Sequence, residues 1–171
     1  IKPMDLLLAL ISGGGSALLS LPVEGVSIDD LRKVTRDLLR SGATIQEINT
    51  VRKHLSLIQG GRLAAACKAP VLALIVSDVT GDDPTHVASG PFAPDPTTYQ
   101  DAVDTLNRFE IKPPRAVLAH LVNGLRGKVA ETPKPGAAAF RKVENRVIAN
   151  ARLSLDAAAR LLRENGIEPV I

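Results

Sequence analysis

A doubly wound, Rossmann-like α/β fold, with a mostly parallel sheet and flanking helices, is predicted by three features of the sequence. Short apolar runs at Leu6–Ile11 and Val71–Val76 read as strands, and a further strand is expected near Val143 to Ala149. Segments with helical spacing separate them, and strands that alternate with helices make a parallel sheet. Each strand ends in polar residues, Ser12-Gly13, Ser77-Asp78 and Asn150, at the carboxyl ends where such sheets gather ligands.

The first run predicts a buried strand that feeds Gly13-Gly14-Gly15, with a helix starting at Ser16 or Ala17. Ser27 with Asp30 has the spacing of an N-terminal capping box, and Leu31, Val34 and Leu38 keep helical spacing until Gly42. Thr44 with Glu47 opens a second helix, whose stripe Ile48, Val51, Leu55 and Ile58 runs to the break at Gly60-Gly61. A short Ala-rich helix follows, and Val71–Val76 is apolar throughout, as a strand buried on both faces would be. Residues 78 to 97 carry four Asp and four Pro in place of any periodic pattern. Helices are then expected near 98 to 109, with Thr98 and Asp101 at capping-box spacing, and near 115 to 126. A Pro/Gly/Ala loop leads to the third strand and to a helix from about Leu153 to Asn165, stopped by Gly166.

With 171 residues the chain is about one domain and long enough to bury a core. Its 45% hydrophobic and 23% charged residues are ordinary for a globular fold, but one Tyr, three Phe and no Trp argue against stacking on nucleic acid. The net charge of +3 is spread along helices, at Arg32, Lys33, Arg36 and Arg40, which describes a solvated face and no polyanion partner. Cys67 stands alone, so no internal disulfide forms and a reducing cytosol is indicated. No run reaches the roughly 18 apolar residues of a membrane span, and a cytoplasmic protein is expected. The chain opens on Ile1 and stops at Glu168-Pro169-Val170-Ile171 as another strand begins, so a piece of a longer protein is expected.

Three consecutive glycines between Ser12 and Ser16 let the backbone take positive φ and bring N–H groups against a phosphate or carboxylate. The run matches neither G-x-G-x-x-G nor G-x-x-x-x-G-K-[ST], and a tight connection without a ligand is the competing account. The loop from Ser77 to Thr98 is too long for a routine connection, which favours function. Its acids Asp78, Asp82 and Asp83 suit Mg²⁺ or a proton acceptor, although Asp82, Asp83 and Asp95 are also ordinary turn formers. Asp78 differs, because it follows an apolar strand directly and projects at the strand end. On the second helix Asn49, Lys53 and Ser56 fall on one face with Arg52 beside them, a pattern that suits an anion clamp or a solvated face. His54 reads as a packing or surface residue, and His86 and His120 have no partners at metal-ligand spacing.

The motifs Ser12-Gly13-Gly14-Gly15-Ser16-Ala17-Leu18, Glu47 to Ser56, Gly60-Gly61-Arg62-Leu63-Ala64, Ser77 to Asp83, Ala88-Ser89-Gly90-Pro91 and Asp95-Pro96-Thr97-Thr98 occur in register. Together with Glu131-Thr132-Pro133-Lys134 and Asn150, they resemble the amino-terminal domain of glycerate 2-kinases of the MOFRL-associated type, a family whose members also carry the name hydroxypyruvate reductase. The resemblance implies a two-domain enzyme that uses ATP and Mg²⁺ to phosphorylate glycerate at its 2-hydroxyl in a cleft between domains. Residues 1 to 171 are then part of the amino-terminal α/β domain, without an earlier segment carrying a catalytic lysine and without the carboxyl-terminal domain. Gln59 stands where the family has a lysine before the glycine pair, a change that a surface position would make harmless.

On this reading Asp78 is the base for the 2-hydroxyl and Arg52 and Lys53 clamp anionic oxygens. Ser12, Gly13, Gly14, Gly15, Ser16 and Asn49 bind substrate or phosphate, with Ser89 and Gly90 as a second donor loop, and Asp82 and Asp83 hold the metal. The expected partners are glycerate and a nucleotide, with no nucleic acid and no membrane, in a chain open to forming a homo-oligomer. A hydroxypyruvate reductase is the first alternative, against which stands the missing nicotinamide-site motif. A non-catalytic phospho-ligand module is the second, against which stands the acidic loop.

Overall fold

A computed structural model describes residues 1–171. Strands β1 (Leu7–Ser12), β2 (Val71–Val76) and β3 (Val143–Ala149) form a parallel sheet in the order β1-β2-β3. Register sets Leu7 against Val71 and Val71 against Val143, and at the other end Ser12 meets Val76, which meets Ala149 after a bulge. The three carboxyl ends therefore lie on one edge, and the loops that follow them are neighbours. Between β1 and β2 run α1 (Gly15–Leu18), α2 (Ile28–Ser41), α3 (Ile45–His54) and α4 (Arg62–Ala66). A 3-10 turn at Val87–Ser89, then α5 (Tyr99–Arg108), α6 (Arg115–Leu125) and a 3-10 turn at Ala138–Lys142 lead to β3, and α7 (Ala151–Glu164) follows it. No helix is long and apolar enough to cross a membrane.

The capping boxes of Ser27 with Asp30, Thr44 with Glu47 and Thr98 with Asp101 all form, each with the hydroxyl on the N3 amide and the acid on the cap amide. Such a cap typically contributes about 1 kcal/mol. The helix α3 ends at His54, six residues before Gly60, and so stops short of the expected stripe positions Leu55 and Ile58. Beyond it Val23 N donates to Leu55 O at 3.0 Å and Leu57 N to Leu21 O at 2.8 Å, while the Ser56 hydroxyl accepts from Ile58 N and Gln59 N. Local side-chain bonds of this kind compete with helix continuation.

Two cores result. Leu31, Val34 and Leu38 of α2 pack with Ile48 and Val51 of α3, Tyr99, Ala102 and Leu106 of α5, and Val117 and Leu121 of α6. Ala9, Val71, Ala73 and Ile75 of the sheet pack with Ala64, Val87 and Phe92. The opposite sheet face departs from the expectation of fully buried strands. Leu8 and Leu10 are exposed and Leu72 and Leu74 half-buried, because the Ala64, Val87 and Phe92 layer lies on the other side.

The helix α3 joins the two cores, with residues 48 to 54 all buried. His54 accepts no solvent: its Nδ1 lies 2.8 Å from Thr50 O and its Nε2 3.2 Å from Glu131 Oε2, and its ring meets Tyr99 edge-on at 4.8 Å. Glu131 is also held by Tyr99 N at 2.8 Å and Lys134 Nζ at 3.0 Å. Burial is the largest influence on His54 and His120 and holds both below the ordinary histidine value. Burial raises Asp95 and Glu131, but Lys53 and Thr97 around Asp95, and Tyr99 N and Lys134 around Glu131, hold both below the ordinary carboxylate value.

All four shifts act in one direction. A histidine kept neutral by the fold gains a proton on unfolding below about pH 6.5, and a carboxylate kept ionised by the fold gains one below about pH 4. The unfolded chain therefore binds more protons, so stability is full above about pH 6.5 and falls as pH drops through each range. Thermal melts of the chain are expected to show Tm rising from pH 4 to a plateau near pH 7. A Tm that is flat, or higher in acid, would refute this account of the buried network.

Candidate functional site

The glycine loop leaves β1 at the sheet edge and turns sharply. Gly14 has φ +75° and caps α1 without help from any side chain. Gly13 lies directly against the Asp78 carboxylate, so that a Cβ on Gly13 would sit 2.0 Å from Asp78 Oδ2. That contact follows from the register, which sets the residue after Ser12 beside those after Val76. Asp78 itself is exposed.

A cavity of about 410 Å³ opens over this junction, lined by Gly14, Ser16, Asn49, Asp78, Thr80 and His86 among others. Asn49 reaches it from α3, with its Oδ1 accepting a 3.0 Å hydrogen bond from the buried Ser89 hydroxyl. A second cavity of about 260 Å³ lies on the far side of Asp78, lined also by Asp82, Asn150 and Arg152. The two share Asp78, Val79 and Thr80. One carboxylate thus stands between two hollows, with backbone and amide donors on one side and a second acid on the other.

The polar row of α3 is buried, which excludes a solvated face, yet its two cations are already engaged. Arg52 donates from Nη1 to Ser16 Oγ at 3.2 Å and from Nη2 to Ser16 O, so it grips the glycine loop and offers no free fork. Its Nε is buried without a partner, and burial lowers its pKa. Lys53, 2% exposed, turns the other way to Asp95 Oδ1 at 3.4 Å and does not line the cavity over Gly14. Asp95 Oδ1 also accepts from the Thr97 amide and hydroxyl, at 3.1 and 2.7 Å.

Ser89 and Gly90 depart from the expected donor loop. Both are buried, and their N–H groups donate to His86 O and Val87 O. Ala88, Ser89 and Gly90 all have φ between 52° and 59°, a left-handed turn that costs non-glycine residues about 1–3 kcal/mol each. The turn acts from behind, fixing Asn49. Ser12, Gly13, Gly14, Gly15 and Ser16 do form one loop at the sheet edge, with Gly15 packed on Ala88.

The acids separate as well. Asp82 shares the second cavity with Asp78 and accepts from Asn150 Nδ2. Asp83 instead accepts from Thr85 N at 2.8 Å and does not line that cavity. Burial raises Asp83, but the Thr85 bonds and the charges of His86 and Lys53 bring it below the ordinary value. No three His, Cys, Asp or Glu side chains converge as a closed metal cage. A Mg²⁺ that keeps waters and substrate oxygens needs only one or two carboxylates, and Asp82, which lines the second cavity, suits that role where Asp83, tied to Thr85, does not.

Residues that sequence reasoning passed over also meet here. His86 lines the cavity with its Nδ1 buried and unpartnered, and Thr80 stands beside Asp78. No sequence signal marks a lone histidine. Asn150 was visible as the polar end of the third strand, and it both caps α7 through Leu153 N and reaches Asp82.

The chain matches, over residues 1–122, the family model described as a domain of unknown function, DUF4147. It is 47% identical over 169 residues to a glycerate 2-kinase of Pyrococcus horikoshii, covering 98% of this chain and 38% of that protein. It is 49% identical over 170 residues to a protein of Agrobacterium vitis named as a hydroxypyruvate reductase, covering 99% of this chain and 37% of the relative. The crystal structure of a glycerate kinase from Thermotoga maritima superposes with a TM-score of 0.81 at 42% identity, covering 97% of this chain and 38% of that one. The chain therefore spans under two fifths of the length of these relatives.

Proposed function

Because this chain belongs to the DUF4147 family, we propose that it is part of the amino-terminal domain of a two-domain glycerate 2-kinase. The reaction is transfer of the γ-phosphoryl group of ATP to the 2-hydroxyl of glycerate, giving 2-phosphoglycerate and ADP. The observation that carries the reading is the Asp78 carboxylate, set against Gly13 at the mouth of a cavity that also presents Gly14, Ser16 and Asn49. Phosphoryl transfer asks the protein mainly for positioned oxygens and neutralised charge. Asp78 takes the proton from the 2-hydroxyl as its oxygen bonds to the γ-phosphorus and the bond to the β-phosphate oxygen breaks. The glycine loop receives an anionic group on its backbone amides, and Asn49 adds a side-chain amide fixed by Ser89. Arg52 holds Ser16 in place and brings positive charge beneath the loop. Asp82 would hold Mg²⁺ together with water and phosphate oxygens, and the ion would supply charge that neutralises those oxygens, leaving the Asp78 carboxylate free to accept the proton.

The name carried by the Agrobacterium relative suggests hydride transfer, and one assay separates the readings. Purified two-domain protein is given glycerate with Mg²⁺-ATP, or hydroxypyruvate with NADH. ADP formation that depends on glycerate is expected, with no NADH oxidation; the reverse would refute the kinase reading, and neither would favour a binding module. Residues 1–171 alone are expected to show no turnover, because a cleft site draws groups from both walls. Robust turnover by the 171-residue chain would overturn the two-domain reading.

A further inference from the structure

We infer that Gln59 is a positioning residue of this site, which holds the α1 turn of the glycine loop by donating from one side-chain amide to two backbone carbonyls. Its Nε2 lies 3.3 Å from Ser16 O and 3.2 Å from Leu19 O. As a role in catalysis the inference rests on the kinase reading, whereas the clamp itself does not.

The turn needs such a support. With four residues, α1 is far too short to hold itself, since an isolated helix nucleus is unfavourable. None of its residues is buried, and Leu18 and Leu19 are 91% and 42% exposed, so beyond the packing of Gly15 on Ala88 no buried side chain of its own anchors it. Its terminal carbonyls have no helical partner. Outside the turn itself, Arg52 and Gln59 supply their donors.

Gln59 is also well fixed. It is 2% exposed, so it does not have the surface position that would make the change from lysine harmless, and its own amide donates to Ser56 Oγ at 3.1 Å. The next two amides donate to the left-handed turn, Gly60 N to Ser89 O at 2.9 Å and Gly61 N to Gly90 O at 2.8 Å. Ser89 in turn holds Asn49. One corner of chain, residues 59 to 61, therefore sets the glycine loop with a side chain and the Asn49 support with its backbone.

The chemistry explains which residues suit the position. An amide NH₂ supplies two N–H donors and no charge, so it satisfies two carbonyls without burying an ion. A lysine ammonium also donates and has the reach, whereas a methionine fills the space without donors. A glutamate would set a carboxylate against two carbonyl oxygens.

Two measurements test the inference. In hydrogen exchange on the 171-residue chain, Gln59→Met is expected to speed exchange at the Ala17 and Leu19 amides by about tenfold or more, and Gln59→Lys to leave them nearly as in the parent. In the two-domain enzyme, Gln59→Met is expected to lower kcat/KM for glycerate about 10- to 100-fold, with Gln59→Lys restoring most of it. Unchanged exchange in Gln59→Met, or a folded Gln59→Lys as defective as Gln59→Met, would overturn the clamp. Should Gln59→Met not fold, the parent chain decides. A clamped turn exchanges at Ala17 and Leu19 about tenfold or more below the unfolded rate, and exchange near that rate overturns the inference. If the parent enzyme does not phosphorylate glycerate, the kinase reading fails while exchange still decides the clamp.

Discussion

Asp78→Asn in the two-domain enzyme is expected to lower kcat for glycerate by about 10²- to 10⁴-fold while leaving KM within a few-fold. The substitution keeps the shape of the side chain and removes its charge and proton-accepting capacity. Asp78 is exposed and stands at the end of a strand, so its loss leaves no cavity and Tm is expected to stay near that of the parent. An interaction made only in the transition state appears in kcat and not in KM. Steady-state kinetics with varied glycerate at saturating Mg²⁺-ATP read the split directly. Near-parental turnover in the folded variant would remove Asp78 from the mechanism, and a rise in KM alone would make it a ground-state contact.

What the sequence disclosed and what it hid divide along the range of the interactions. Capping boxes at Ser27, Thr44 and Thr98 were legible because each links a side chain to an amide three residues away. The first two strands were legible as apolar runs, and with them the gathering of polar strand ends at one edge, although the contact of Gly13 with Asp78 was not. Nor were long-range pairings. Arg52 finds Ser16 36 positions away and Lys53 finds Asp95 42 positions away. A polar helix face reads the same in sequence whether it meets water or buried partners, and only the fold shows that α3 is enclosed on both sides. Ser89-Gly90 looked like a donor loop because glycine permits many turns, but its left-handed conformation turns those amides back onto His86 and Val87. Of two adjacent acids the sequence could not say which faces the site. Thr85 captures Asp83 and leaves Asp82 toward Asn150.

Gly13→Ala is expected to reproduce most of the Asp78→Asn defect without touching Asp78 itself, with a loss of about 10²-fold or more in kcat. Gly13 is not in the left-handed region, so alanine introduces no backbone strain there. The obstacle is a Cβ 2.0 Å from Asp78 Oδ2 and 2.1 Å from its Cγ, and the three nearest atoms all belong to that exposed side chain. Asp78 relieves the clash by rotating away, which costs stability little and moves its carboxylate from the reacting hydroxyl. Gly14 makes a useful contrast: nothing lies within 4 Å of its would-be Cβ, but φ +75° strains any L residue, so Gly14→Val acts through the backbone and the ligand space. The diagnostic measurement is the double variant. If Gly13→Ala works by displacing the carboxylate, adding it to Asp78→Asn lowers kcat little further, whereas independent effects would multiply. A multiplied defect, or a Gly13→Ala enzyme of parental turnover, would show that Asp78 does not need its place against the glycine loop in order to act.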